Sequence, residues 1–439
     1  MKANHPAKGN RIVVLNRWSD GFAAYQRYID HAANKIAYVC TPNSVAALDT
    51  SRIAHVEQLS DILDEDALHA AVRACSSALG GIDRLVALSE FDLLAAARLR
   101  NSFNIPGDLP ETVVRFRNKA VTTNTIAAAG LRVPRFAALE DLVVAKAATT
   151  TVMRFPIIVK PRSGTANIGS RRIETRPEFD ALWPTLPLAE YDCEEYIDGP
   201  VYHVDGFLLN STLVIARASR YISTYVQFAQ GKPLGSVMLD PSPLNEALTA
   251  FSVKCLRALD FRNGPFHLEI VRGCDELYFL KVGARVGEGE IPFLFHDLYG
   301  VDLFALWAAQ QSGDKARLAT QVQAALDASA SSARGGFLML PEPVGKVFVD
   351  AKLLREIPAL YEAVFPKPRH FFDGTGGYAT LLARFRYRAA SEHEIATGIH
   401  TTLDNFQYTL AEIAAPPFTA EPAAPMVHPG RHSPPLLPC

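Results

Sequence analysis

The chain has 439 residues, with 44 basic and 46 acidic side chains and a formal net charge of −2. Apolar residues make up 49% and charged residues 21%, an ordinary globular balance with room for two or three domains. Near-neutrality gives no electrostatic reason for a nucleic-acid partner, and no apolar stretch approaches a membrane span. The opening "MKANHPAKGNRIVVLNRW" lacks a long apolar run and a small-residue cleavage site, so a cytoplasmic location is expected. Six cysteines (Cys40, Cys75, Cys193, Cys255, Cys274 and Cys439) form no C-x-x-C pair and read as thiols of a reducing compartment. The final "PPLLPC" lacks the residues after cysteine that prenylation requires.

Taken in order, "RIVVLN" reads as a buried parallel strand, "GFAAYQRYIDHAA" as a helix and "KIAYVC" as the next strand. "EDALHAAVRACSSALG" is an amphipathic helix closed by Gly80, "IDRLVALSE" a further strand, and "FDLLAAARLRNSF" a helix ending before Ile105-Pro106-Gly107. Strands alternating with helices predict a parallel α/β sheet for residues 1–108. "ETVVRFRNKAVTTNTIAAAG" predicts one helix capped by Gly130, opening a segment 109–200 that holds a small α/β unit. Residues 201–333 read mainly as strands around the helix "PLNEALTAFSVKCLRALDF", and 334–414 as a small terminal subdomain. Residues 415–439 contain eight prolines and are expected to be disordered.

The stretch "FPIIVKPRSGTANIGSRRI" carries the most chemistry. Lys160 ends a buried strand, and the loop that follows is rich in small residues, including Ser163, Gly164, Thr165 and Asn167. Small side chains let backbone N–H groups approach an anion, and lysine adds a compact charge. No G-K-[ST] opens a helix, so this is not a Walker loop. "CEEYIDG" follows about thirty residues on, Arg117-Asn118-Lys119 precedes both, and Glu269 and Arg285 lie in "HLEI…LYFLKVGARVGEGE".

In that order, these motifs resemble the ATP-grasp superfamily over nearly all of residues 11–350, especially its carboxylate–amine ligases with a "GAR-x-G-G" ending. The resemblance implies a parallel-sheet pre-ATP-grasp domain, then a two-lobed α+β ATP-grasp module and a small C-terminal subdomain. It implies ATP and Mg2+ as cofactors, small-molecule carboxylate and amine substrates joined through an acyl phosphate, and a possible homodimer. By resemblance, Lys119 and Lys160 contact ATP phosphates, and Ser163, Gly164, Thr165 and Asn167 cover them. Glu194, Glu195 and Ile197 form the adenine hinge, and Glu269 binds magnesium. Arg285 holds the substrate carboxylate and the developing oxyanion. The ribose position is assigned to Asp198 or Asp205, and His267, Arg220 and Gly287 are expected near substrate.

One position departs from the pattern. The family's second strand presents a carboxylate where this chain has Lys281. Two like charges ~4 Å apart cost about 4 kcal/mol at an effective dielectric of 20, so a lysine there repels a metal ion. Three explanations stand: Lys281 replaces one magnesium, Glu288 or Glu290 supplies the missing ligand, or catalysis is lost. The leading expectation is an active ligase with altered metal use and Lys281 in the reacting site. The alternatives are a catalytically silent nucleotide-binding module, and carboxylation or phosphoryl transfer on the same fold. His203 is read either as a cleft residue or as a bonded core histidine. Arg384, Arg386 and Arg388 alternate along a strand and are expected on a solvated face.

Overall fold

The computed structural model describes residues 9–18, 25–144, 153–162, 169–223, 227–228, 230–274, 276–374 and 380–412. At the N-terminus, β1 (Arg11–Asn16), β2 (Lys35–Cys40), β3 (His55–Gln58) and β4 (Arg84–Ala87) form a parallel sheet in the order β3-β2-β1-β4. Their apolar runs are continuous because helices cover the sheet, as parallel strands require. The helix Glu65–Leu79 starts where the Asp64 side chain accepts from the Ala67 N–H and ends at Gly80 in the left-handed region (φ 77°).

Where the sequence predicts one long helix, two occur, Pro110–Arg117 and Lys119–Ala128. Asn118 between them is extended, and its side-chain oxygen accepts from the Val121 N–H. An asparagine that can cap its own chain competes with helix continuation, which hydrophobic periodicity does not register. The break makes Lys119 the first residue of the second helix.

The small lobe is an antiparallel sheet of β5 (Phe136–Ala138), β6 (Ile157–Pro161), β7 (Arg171–Ile173) and β8 (Tyr191–Glu195), ordered β5-β8-β6-β7. The large lobe is built on β9 (Val201–Leu209), β10 (Thr212–Tyr221), β11 (Leu234–Met238), β12 (Gly264–Gly273) and β13 (Glu276–Gly283). The segment expected as a terminal subdomain adds β14 (Arg334–Leu340), β16 (Leu360–Val364) and β17 (Ala383–Ala389) to this same sheet. The resulting eight strands run β13-β12-β9-β10-β11-β14-β17-β16, all antiparallel to their neighbours. β15 (Lys346–Leu353) instead pairs with β18 (Phe406–Glu412).

The N-terminal sheet docks on the large lobe through the buried helix Leu303–Ser312. Gln311 brackets the Ala87 peptide from that helix, its Oε1 accepting from Ala87 N at 2.9 Å and its Nε2 donating to Ala87 O at 3.1 Å.

The Asn118 cap has a measurable share of stability. Asn118→Ala is expected to cost about 1 kcal/mol in denaturant unfolding and Asn118→Gly only a few tenths. Equal losses for the two variants would show that the cap is not the stabilising element.

Candidate active site

The strand register of the large lobe gathers a polar cluster on one face of an otherwise apolar sheet. Glu269 on β12 pairs with Lys281 on β13 and His203 on β9, and His267 pairs with Asp205 and Gly283. Alternation then puts His203, Asp205, His267, Glu269 and Lys281 on a common face, while Tyr202, Val204, Leu268 and Ile270 face the other way.

These side chains form a continuous chain of contacts. Lys281 Nζ lies 3.2 Å from Glu269 Oε1, which also receives bonds from His267 Nε2 and Tyr221 OH, each at 3.3 Å. His267 Nδ1 donates to Asp205 Oδ1 at 2.9 Å, and His203 Nδ1 donates to Asp205 Oδ2 at 2.5 Å. Ser236 Oγ on β11 closes the series 2.7 Å from His203 Nε2. Burial alone would strip charge from these groups, but mutual pairing overrides it. Burial lowers the His267 pKa, yet Asp205 and Glu269 outweigh it and raise the imidazole to about 9. Burial likewise raises Glu269, but Lys281 and then His267 hold it down at about 2. Asp205 is pulled far below the usual carboxylate range, its own burial outweighed by His267 and His203.

Three cations converge on the cleft beside this face. Lys160, at the end of β6, is 2.6 Å from Glu194 Oε1 on β8. Lys119 Nζ reaches the Pro161 carbonyl at 3.4 Å. Its pKa is lowered by partial burial, then by the charges of Lys160 and Lys281, which places all three in one electrostatic field. At the hinge, Glu195 N donates to Arg135 O at 2.8 Å, and its carboxylate lies 3.3 Å from the Arg135 guanidinium. Ile197 packs over Gly273, where an added Cβ would fall 2.4 Å from its Cγ2. Ser163, Gly164, Thr165 and Asn167 lie outside the described residues.

Arg285 follows β13 and is held from two sides. Its Nε donates to Glu90 Oε2 at 2.7 Å, and its Nη2 lies 3.0 Å from Glu288. Glu90 comes from the N-terminal domain, in the turn after β4, and also accepts from Arg117 at 2.9 Å. Burial works against the Glu90 charge, but Arg285 and Arg117 keep its carboxyl below the usual range. Unlike Arg117, Glu90 belongs to no motif that marks it in the sequence. Glu90 sits at the C-terminal end of a parallel strand, where ligands gather in such sheets, and that was the available signal.

The structure corrects several expectations. Asp205 is 2% exposed and committed to both histidines, so it does not reach a ribose hydroxyl. Arg220 pairs with Tyr202 and Val237, on the sheet face opposite Glu269, and so does not line the cleft. Gly287 lies on Asp205 itself, since an added Cβ would meet Asp205 Oδ1 at 2.3 Å, so it serves close backbone approach rather than substrate contact. Glu290 is 1% exposed and held by Arg384 and Arg386, which leaves Glu288 as the looser of the two loop carboxylates. Arg384 and Arg386 are half-buried against Glu290, and Arg386 also binds Asp297, whereas Arg388 is exposed as expected and lies over Tyr361 at 4.9 Å.

The donor set sets limits on a metal ion. Lys281, His267 and Tyr221 all contact Glu269 at Oε1. A lone carboxylate beside cationic side chains would suit one magnesium shared with phosphate oxygens rather than two. Lys281, the cross-strand partner of Glu269, brings an ammonium rather than a second carboxylate to this place.

No family model matches the chain. A curated relative, the L-arginine-specific L-amino acid ligase of Bacillus subtilis, is 24% identical over 276 residues, covering 61% of this chain and 66% of that protein. The match thus spans slightly less than two-thirds of that relative's length. The crystal structure of an L-amino acid ligase from Bacillus licheniformis superposes with a TM-score of 0.69 at 17% identity, covering 92% of this chain and 99% of that one. The biotin carboxylase domain of Hydrogenobacter thermophilus 2-oxoglutarate carboxylase, solved with MgADP and bicarbonate, gives a TM-score of 0.65 at 12% identity, covering 92% and 91%. With its lysine strand, hinge and Glu269–Arg285 strand pair in the places described, the chain has the ATP-grasp fold that carboxylate–amine ligases share.

Proposed function

We propose that the chain is an ATP-dependent ligase joining an amino acid or related small carboxylate to an amine. The observation that carries this reading is the convergence of Lys119, Lys160 and Lys281 on one cleft beside Glu269 and Arg285. Bound ATP would supply the γ-phosphoryl that activates the carboxylate as an acyl phosphate, which the amine displaces with release of ADP and phosphate. Lys119 and Lys160 bind and orient the phosphates. Lys281 adds a fixed positive charge where the resemblance leads one to expect a carboxylate, and with Glu269 it would need only one magnesium to balance the transferring group. Arg285 holds the substrate carboxylate, exchanging a contact with Glu288 for one with substrate.

The His267–Asp205–His203 series keeps Glu269 oriented and ionised. A buried carboxylate bonded by an imidazolium and an ammonium does not pick up a proton at neutral pH. Glu90 braces Arg285 against the N-terminal domain, so domain docking and substrate binding share one side chain.

A silent nucleotide-binding module is the second reading, and two contacts favour it. Lys281 occupies one oxygen of Glu269, and Arg285 is already bonded by Glu90 and Glu288.

ADP release from Mg–ATP with pooled amino acids separates the two. An active ligase releases ADP with particular pools, and Lys281→Met lowers that rate by about 10-fold or more. A wild type that binds ATP without turnover in every pool, alongside an active Lys281→Glu variant, would leave the silent module standing.

The charged network also sets a pH profile. His267 has a folded pKa above its usual 6.5, so its contribution is complete below about pH 6.5 and fades as pH rises through about 9. Glu269 lies below its usual 4.5, so its contribution holds above that value and fades as pH falls towards about 2. Between pH 6.5 and 9.5 the wild type is expected to lose on the order of 3 kcal/mol more stability than His267→Gln. Parallel stability curves for the two proteins would remove His267 from that role.

A further inference from the structure

Away from the cleft, a cavity of about 570 Å3 lies between the N-terminal domain, the loop leading to the Asn118 helices, and the large lobe. Arg100, Asp108, Thr112, Phe116, Trp307 and Gln311 are among its lining residues. Arg100 is the anomaly. It is 5% exposed, and its Nη2 donates to Leu85 O at 3.0 Å and to Gln311 Oε1 at 3.1 Å. Its Nη1 donates to nothing, and no carboxylate lies within 4.0 Å of its guanidinium, among the described residues. Burial accordingly lowers its pKa, with Asp108 only partly offsetting that from a distance.

A buried guanidinium without a counter-charge is costly, and folded proteins usually pair such groups. Backbone packing over it is close: a Cβ on Gly107 would fall 2.6 Å from Arg100 Cδ, so the Pro106-Gly107 loop lies directly on the arginine stem. Arg84, Arg262, Asp108 and Asp260 also line the cavity, so its charged lining carries one more arginine than acid, while Phe116 and Trp307 add apolar surface. A volume of this size holds a small organic ligand.

We propose that this cavity binds a small carboxylic acid with an apolar body, its carboxylate making the direct contact with Arg100 that the more distant Asp108 does not. The planar guanidinium matches a carboxylate edge, and the apolar walls cover the remainder of the ligand. The site is separate from the ligase reading and stands or falls without it. It borders β4, whose following turn carries Glu90 against Arg285.

Thermal unfolding with phenylacetate, benzyl alcohol and inorganic phosphate as probes tests this. Phenylacetate is expected to raise the Tm saturably by about 1–3 °C, and benzyl alcohol to leave it unchanged. The rise should vanish in Arg100→Met and shrink in the cavity-filling Thr112→Trp, yet persist in Lys160→Ala, which removes a cation of the nucleotide cleft. Arg100→Met replaces an unpaired buried charge with a flexible apolar chain and is expected to fold. A rise retained in Arg100→Met, or no rise in the wild type, would overturn the site. A rise with phosphate and none with phenylacetate would overturn the carboxylate assignment.

Discussion

The cross-strand pair of Glu269 and Lys281 is the constraint around which the large lobe is arranged. A carboxylate 6% exposed cannot remain charged in an apolar sheet without compensation, and Lys281 supplies it at 3.2 Å. One ammonium does not satisfy a carboxylate, so His267 and Tyr221 converge on the same oxygen. His267 then carries a charge of its own and needs Asp205, which in turn orders His203 and Ser236. A single substitution on β13 is thus embedded in a series of buried groups spanning β13, β12, β9 and β11. Their order matches the order of strands in the sheet, interrupted only where β10 contributes Tyr221.

Domain docking follows a similar logic at a second place. Glu90 joins Arg117 of the linking helix to Arg285 of the large lobe, so three segments distant in sequence share one carboxylate. Gln311 fixes the preceding strand by bonding both backbone groups of Ala87. The N-terminal domain therefore does more than cover the sheet: it reaches into the environment of Arg285. Arg100 donates to that same Gln311 oxygen and to Leu85 O, with no carboxylate within 4.0 Å among the described residues.

Much of the fold was legible from local pattern. Continuous β-branched runs marked the parallel strands, and the Gly80 terminus and the lysine strand were readable because each depends on residues adjacent in the chain. The resemblance to ATP-grasp proteins likewise rested on short motifs in order. The split at Asn118 was not legible, because periodicity continues through it and only the cap hydrogen bond breaks the helix. Arg384, Arg386 and Arg388 alternated as a solvated strand would, but only Arg388 is exposed, the other two being half-buried against Glu290.

The sequence by itself determined which residue types were present and their order: a lysine at 281, an arginine four residues later, a lysine strand leading into small residues. It also determined that His267 and Glu269 share a face, since alternation along one strand is a local property. Only the tertiary structure decided what those residues touch. Register between β9, β10 and β12 turned Asp205 from a candidate ribose contact into the anchor of two histidines and put Arg220 on the opposite face. Packing of the following loop pressed Gly287 onto Asp205. Docking of the N-terminal sheet brought Glu90, 195 residues away in the chain, to Arg285. Pairing across strands and between domains depends on register and distance, and neither is written in the spacing of any one segment.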